Sequence, residues 1–338
     1  MKIALLSTSR ADQSALEVAA KALREAGHES SLVKWDISQS EPLLAEHLPD
    51  LAVLHGDRWD CLIAATACTI ARVPIAHIGG GDVTTGSYDE RFRNAITMLA
   101  DWHFVGREWA RLRLSQLDVA SSRIFVIGEL AIDWLLTADP PITIKHKMGL
   151  GPYILVNWQP ETGAKDMNLG LKRIIEALPL LKGPYPIAKH YDVVFMNQNG
   201  DAGAMEAEKM IETVVDSKTG YRVWFCRDGL SREDYAALMK HCCCMVGNSS
   251  SGLIEAPVFG RPFVLVGDRQ RGRPIPSNTV CAPCLMMPQD LAKIIDVHAE
   301  MGMLAYNGPR ATDNPYGDGT AGKKLVEAMK KVEEENDR

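Results

Sequence analysis

Val246-Gly247-Asn248-Ser249-Ser250-Ser251-Gly252-Leu253-Ile254-Glu255 is the stretch on which the fold class turns. A short apolar run, begun at Met245, exits into a Gly/Ser turn, and the turn opens a helix. The same strand, turn and helix recur along the chain. Ile3–Leu6 ends in Ser7 and Thr8, and Leu16, Ala19, Leu23 and Ala26 then share a helical face that Gly27 stops. Further strands are expected at Ser31–Trp35, Leu51–Leu54, Ile75–Ile78, His103–Val105 and Ile124–Ile127. In the second half they are expected at Tyr153–Asn157, Val193–Met196, Arg222–Cys226, Met245–Gly247 and Pro262–Val266. Helices are expected at Trp59–Arg72, Glu90–Ala100, Arg107–Leu117, Asp166–Leu181, Ala202–Val215, Ser231–His241 and Ser251–Val258. Such alternation means parallel pairing through crossover helices, an α/β fold.

Thr137–Pro152 carries Pro140, Pro141, Gly149, Gly151 and Pro152, and is the natural linker. The expected layout is a first Rossmann-like domain over 1–140, a linker over 141–152, a second over 153–317 and a C-terminal helix within 318–338. That helix places Leu325, Met329 and Val332 on one face. Ligands of open α/β sheets bind outside the carboxyl ends of the strands, so two such halves predict a crevice there.

The chain has 338 residues, 24% charged and 46% hydrophobic, which suits a soluble two-domain protein and excludes a disordered or disulfide-framed one. No apolar run reaches a membrane span, and the N-terminus reads as a strand rather than a signal peptide, so the expected location is the cytoplasm. A net charge of −6 argues against nucleic acid as a partner. Cys242, Cys243 and Cys244 read as buried small residues. Cys281 and Cys284 form one CxxC without a second pair, so no metal is expected.

Chemistry concentrates at the strand ends. The first strand runs into Ser7-Thr8-Ser9-Arg10-Ala11-Asp12, hydroxyls and a cation suited to capping or an anion. The third ends in His55-Gly56-Asp57-Arg58, and Arg58 is expected to keep Asp57 ionised. The fourth ends in His77-Ile78-Gly79-Gly80-Gly81-Asp82, a phosphate or sugar loop or else a flexible turn. Asp89 and Arg93 follow, four apart, as an ordinary surface pair on a helix would be. After Val246, successive N–H groups and serine hydroxyls suit a pyrophosphate, and Glu255 suits the two donors of a ribose diol. Gly267-Asp268-Arg269-Gln270-Arg271-Gly272-Arg273 adds three guanidinium groups. The Val246–Glu255 stretch lacks both the GK[ST] ending and GxGxxG, which disfavours a triphosphate or a nicotinamide dinucleotide there.

Taken in order, these motifs resemble the UDP-N-acetylglucosamine 2-epimerase family, and most closely its hydrolysing branch. The resemblance rests on Arg10-Ala11-Asp12, His55-Gly56-Asp57-Arg58, His77-Ile78-x-Gly-Gly-Asp82 and Asp89-Glu90-x-x-Arg93-x-Ala95-Ile96-Thr97. It continues through Gly247-Asn248-Ser249-Ser250-Ser251-Gly252, Gly267-Asp268-Arg269-Gln270-x-Gly272-Arg273 and Tyr316-Gly317-Asp318-Gly319. It implies the GT-B architecture, with UDP in the cleft and mostly on the C-terminal domain. It maps uridine and diphosphate contacts onto Arg10, Ser14, Arg58, Asn197, Ser249, Ser250, Glu255 and Arg269, with the backbone near Leu230 facing the base. Acid–base roles map onto Asp57 and Asp89, with His55, His77 and Glu90 nearby. It implies a UDP-sugar as partner, no metal or redox cofactor, and a homodimer to which Trp102, Trp109 and Trp134 contribute unless they are core.

Three positions depart from the pattern the resemblance implies. Gly79 stands where relatives place a Glu, Gln159-Pro160 where they place His-Pro, and Asn94 where a His often follows the Arg. Gln159 and Asn94 can still hydrogen-bond a phosphate or sugar but transfer no proton at neutral pH. Besides a hydrolysing epimerase, the alternatives are a non-hydrolysing epimerase that returns UDP-sugar, a nucleotide-sugar binding protein without turnover, and a GT-B glycosyltransferase.

Overall fold

Two sheets, each of six parallel strands, organise the chain in a computed structural model. The structure describes residues 1–8, 10–35, 49–138, 140, 142–184, 190–217, 220–228, 230–304 and 314–336. The first sheet has the order β2-β1-β3-β4-β5-β6. Its strands are β1 (Lys2–Ser7), β2 (Glu29–Lys34), β3 (Leu51–His55), β4 (Ile75–Ile78), β5 (Trp102–Val105) and β6 (Ile124–Val126). The second runs β12-β11-β10-β7-β8-β9. Its strands are β7 (Tyr153–Asn157), β8 (Asp192–Met196), β9 (Val223–Cys226), β10 (Cys244–Gly247), β11 (Phe263–Val266) and β12 (Thr279–Ala282). Both are the doubly wound α/β type expected.

Contacts divide the chain into two compact units, 1–83, 88–137 and 315–338 in the first, and 84–87 and 138–314 in the second. The helix set apart at 318–338 spans Ala321–Asn336 and belongs to the first unit, where Leu325, Met329 and Val332 are fully buried. It packs with the Arg10–Glu25 helix on one face of the first sheet, while Cys61, Ala64, Ala65 and Cys68 of the Trp59–Ile70 helix cover the other. Burial on both faces explains why the inner strands read as continuous apolar runs. Trp102 is core, and Trp109 is 45% exposed. In the second unit Cys242, Cys243 and Cys244 are buried, and all eight cysteines are free thiols.

Several elements differ from expectation for local reasons. The expected Asp166–Leu181 helix begins at Leu169 and gives way to a 3₁₀ turn at Leu178–Leu180, because Pro179 cannot continue the α ladder. The expected Ser251–Val258 helix is only Ser250–Ile254, with a 3₁₀ turn at Ala256–Phe259 around Pro257. The linker stretch contains a short helix, Thr143–Lys147; Pro141 lies outside the described residues. The helix Pro288–Leu304 and strand β12 were not anticipated. The helix has a legible signature, Pro at its first position and Leu291, Ile295 and Ala299 at a spacing of four. β12 is a four-residue edge strand with Cys281 exposed, too short and too mixed to stand out. No described helix is long and apolar enough to cross a membrane.

Candidate functional site

Parallel pairing puts every strand's carboxyl end on one edge of its sheet, and the candidate residues gather on these two edges. On the first edge, β1 exits into Ser7 and Thr8. Ser7 Oγ donates to Asp12 Oδ1 at 3.0 Å, and Thr8 N and Oγ1 donate to Asp12 Oδ2 at 2.9 and 3.0 Å. Asp12, in the first turn of the Arg10–Glu25 helix, thus ties the β1 exit to that turn and is 5% exposed. Ser14 is half-buried one turn on; the side chain of Arg10, like Ser9, lies outside the described residues.

β3 exits at His55, Gly56, Asp57 and Arg58. Arg93, 1% exposed, ion-pairs with Asp57 and donates to the Asp82 carbonyl at 3.0 Å. Arg93 is therefore not the surface residue its spacing from Asp89 suggested. Arg58 donates to Asp60 Oδ2 at 3.4 Å. Asp82 ion-pairs with Arg107, and Glu90 accepts from Arg113 at 2.8 Å. Asp89 and Glu90 open the Asp89–Leu99 helix, where carboxylates complement the free N–H groups of the first turn.

The two histidines behave as neutral groups. His77 is fully buried, and burial pushes its imidazole down to about 3. Its Nε2 lies 2.8 Å from the Gly56 carbonyl, so Nε2 carries the proton, and Nδ1 accepts from Thr97 Oγ1 at 3.4 Å. Both nitrogens are spent on tying the Asp57 turn to the following helix. His55 is lowered by burial, against the pull of Asp12 and Asp57. Its Nδ1 is buried and has no hydrogen-bond partner. Gly81 adopts φ +79°, and a Cβ there would lie 2.6 Å from the Ala110 carbonyl oxygen, so only glycine fits. At Gly79 a Cβ would meet only Gly56 N, at 3.9 Å.

The second edge is built from amides and hydroxyls. Asn248, fully buried, accepts from Gln159 N and donates to Gln159 O, both at 2.8 Å, mimicking a backbone pair. Gln159 Nε2 donates to Asn197 O at 3.1 Å and its Oε1 accepts from Asn199 N at 2.9 Å. Gln270 Nε2 donates to Asn248 O at 2.8 Å. Together they join the exits of β7, β8, β10 and β11. Gly247, φ +142°, lets β10 pass β7 closely: a Cβ there would lie 2.1 Å from Asn157 O.

Ser249 caps the Ser250–Ile254 helix, Ser250 is its first residue, and Glu255 ends it. At five residues this helix has a weak dipole, so anion affinity here rests on individual N–H and O–H donors. Leu230 immediately precedes Ser231, the N-cap of Arg232–His241.

Arg269 is held by a residue the motif reading passed over. Glu161, 7% exposed, accepts from Asp268 N at 2.7 Å and Arg269 N at 3.0 Å through one oxygen. Cys284 donates to its other oxygen at 3.6 Å; burial, then Glu161, pushes that thiol up to about 12, so it stays protonated. Asp12, Asp82, Arg93, Arg107 and Glu161 were all legible as charged residues in or beside the strand-end motifs. Their pairings were not: Asp82, Arg93, Arg107 and Glu161 reach groups on other loops, and Asp12 turns back onto Ser7 and Thr8.

A sequence profile described as UDP-N-acetylglucosamine 2-epimerase matches residues 16–330. A curated relative, "GDP/UDP-N,N'-diacetylbacillosamine 2-epimerase (hydrolyzing)" from Campylobacter jejuni, is 31% identical over 67% of this chain and 58% of its own length. The chain thus spans under two thirds of that relative. "UDP-N,N'-diacetylbacillosamine 2-epimerase (hydrolyzing)" from Legionella pneumophila is 26% identical over 84% of this chain and 71% of its own length. Among solved structures, the UDP-GlcNAc 2-epimerase from Neisseria meningitidis bound to UDP-GlcNAc superposes with TM-score 0.75 at 19% identity, over 98% of this chain and 100% of that one. The fold agrees with that structure's, and the profile spans nearly the whole sequence: this chain belongs to the UDP-N-acetylglucosamine 2-epimerase family.

Proposed function

We propose that the protein is a hydrolysing 2-epimerase of a UDP-linked 2-acetamido sugar, releasing UDP and a free 2-epimeric amino sugar such as N-acetylmannosamine or a diacetamido analogue. The observation that carries the reading is Asp57: a carboxylate 25% exposed at a strand exit, held by the buried Arg93. The names of the relatives from Campylobacter and Legionella support the hydrolysing branch and a diacetamido sugar.

In this reaction a base takes the C2 proton while the C1–O bond breaks and UDP departs with the electron pair, leaving a C1=C2 glycal. Water then adds its oxygen to C1, and C2 takes a proton on the opposite face. Asp57 and Asp89 carry the proton transfers. Glu90 or Asp82 supplies the carboxylate that Gly79 lacks. Glu90, 18% exposed, is better placed than the buried Asp82. Ser249, Ser250 and Arg269, with Arg10, Ser14 and Arg58, absorb the charge of UDP as it leaves. Asn197, Leu230 and Glu255 hold the uridine, and Gln159 orders the loops beneath it. His77 holds the Asp57 turn through the Gly56 carbonyl, and His55 stands beside it at the β3 exit. A homodimer through the first unit, with Trp109 at its interface, completes the proposal and is tested by light scattering.

One observation favours a second reading, a nucleotide-sugar binder without turnover: both ends of the Gln159 amide are committed to backbone groups. Proton NMR with UDP-N-acetylglucosamine and its diacetamido analogues in D₂O separates the two. Free 2-epimer, UDP and deuterium at C2 are expected. UDP-sugar re-isolated as its 2-epimer indicates the non-hydrolysing reaction, and unchanged spectra with tight UDP binding indicate the binder.

A further inference from the structure

Behind Ser249 lies a chain of hydrogen-bonded hydroxyls. Asn157 Nδ2 donates to Tyr235 Oη at 3.0 Å. Tyr235 Oη and Ser251 Oγ are 2.6 Å apart, and Ser251 Oγ and Ser249 Oγ 3.0 Å apart. Asn157 Nδ2 also reaches Ser251 Oγ at 3.4 Å.

Each hydroxyl has one proton and can also accept, so either member of each pair can donate, and a run that starts from the Asn157 amide is taken in one direction. Tyr235 accepts from Asn157 and gives its proton to Ser251. Ser251 then gives its own to Ser249. Ser249 Oγ already accepts from Ser251, through Oγ and through the backbone N–H at 3.4 Å. In that direction its proton is the one left over for a ligand.

The phenol is suited to this place. Burial, and then the nearby Glu255 carboxylate, push its ionisation up, so it remains a proton donor throughout the physiological range. Ser251 is 7% exposed, so water does not compete for the middle of the chain. Hydrogen bonds in series polarise one another, and a donor ending such a chain is a stronger partner for an anion.

We propose that Tyr235 is a positioning residue for the nucleoside diphosphate: acting through Ser251, it orients the Ser249 hydroxyl as a donor to the phosphate oxygens. The inference rests on the reading of Ser249 as a UDP contact. The serine was legible in the Gly/Ser turn. Tyr235, fourteen residues upstream on another helix, was not.

The test is titration of UDP and of uridine into wild type, Ser249→Ala, Tyr235→Phe, Ser251→Ala and the Ser249→Ala/Tyr235→Phe double variant. Ser249→Ala and Tyr235→Phe are each expected to weaken UDP about tenfold, the scale of one hydrogen bond to a charged group. The double variant is expected to be no weaker than Ser249→Ala alone, because Tyr235 acts only through the serine. Uridine affinity is expected to stay at the wild-type value. Ser251→Ala breaks the chain at its middle, should match Tyr235→Phe, and carries the test if the latter is poorly folded. Wild-type UDP affinity in Tyr235→Phe and Ser251→Ala, with Ser249→Ala weakened, overturns this inference and leaves the UDP site standing. Equal losses for UDP and uridine in Tyr235→Phe overturn it too, since they mark a purely structural role. Wild-type UDP affinity in Ser249→Ala removes the UDP contact at that serine, and the inference with it.

Discussion

The two sheet edges use opposite means to the same end. On the first, carboxylates are held by arginines: Asp57 by Arg93, Asp82 by Arg107, Glu90 by Arg113. On the second, neutral amides and hydroxyls hold one another: Asn248 with Gln159, Gln270 with Asn248, and the run from Asn157 to Ser249. Ion pairs suit a place where protons must move, because they hold carboxylates in reach as acceptors. Neutral donors suit a place where a dianion must bind, because they order the loops without a competing charge. If the proposed function holds, proton transfer belongs to the first edge and the diphosphate contacts of Ser249, Ser250 and Arg269 to the second.

The largest expected effect tests that assignment directly. Asp57→Asn keeps a hydrogen-bonding group beside Arg93 and removes the base. Turnover should fall by about 10³, in the range for loss of a general base, while the UDP dissociation constant stays within about twofold. Progress curves and titration read the two separately. A fall in UDP affinity equal to the fall in turnover would dissolve the distinction between the edges.

Arg93→Met asks what the first edge costs to disturb. Methionine fills similar volume but removes the guanidinium from Asp57 and from the Asp82 carbonyl. Breaking a buried pair from one side costs about 3 kcal/mol or more. Denaturant unfolding of the variant should show that loss, and the double variant Arg93→Met/Asp57→Asn should recover part of it. No recovery would mean that Arg93 acts through packing rather than through charge.

The fold was legible because burial on both sheet faces leaves apolar runs, as in Leu51–Leu54 and Tyr153–Asn157, that composition alone reveals. The strand-end motifs were legible for the same reason, since each marks where such a run stops. Partnership was not legible. Arg93 reads as a surface partner of Asp89, and only the path of the Asp89–Leu99 helix turns it inward to Asp57. Glu161 stands outside every motif, and its bonds go to backbone groups more than one hundred positions away.

A smaller effect distinguishes a structural His77 from a catalytic one. Its imidazole titrates near 3 in the folded protein because it is buried. In the unfolded chain it takes up a proton near pH 6.5. Between these values the unfolded state binds more protons, so stability is full above about pH 6.5 and is lost as pH falls toward 3. By pH 5 this amounts to about 2 kcal/mol. His77→Gln retains a donor for the Gly56 carbonyl and has no such titration, so its stability should fall less steeply between pH 6.5 and 5. An identical acid limb would mean that His77 is not held neutral, and would return it to the acid–base set.

The smallest effect tests the second edge at a charged support, Glu161. Glu161→Ala leaves the buried N–H groups of Asp268 and Arg269 without their acceptor and loosens the loop that carries Arg269. KM for the UDP-sugar should rise about tenfold, with kcat within about threefold, because an anchor for the diphosphate is displaced while the first edge is untouched. Glu161→Gln restores the accepting oxygen but not the charge. If the comparison holds, it should return KM to within about twofold of wild type, since the loop needs an acceptor and the edge works as a neutral scaffold. If Glu161→Gln is as weak as Glu161→Ala, the negative charge itself orders the loop, through the guanidinium groups of Arg269 and its neighbours. The second edge would then depend on an ionic pairing of the same kind as the first.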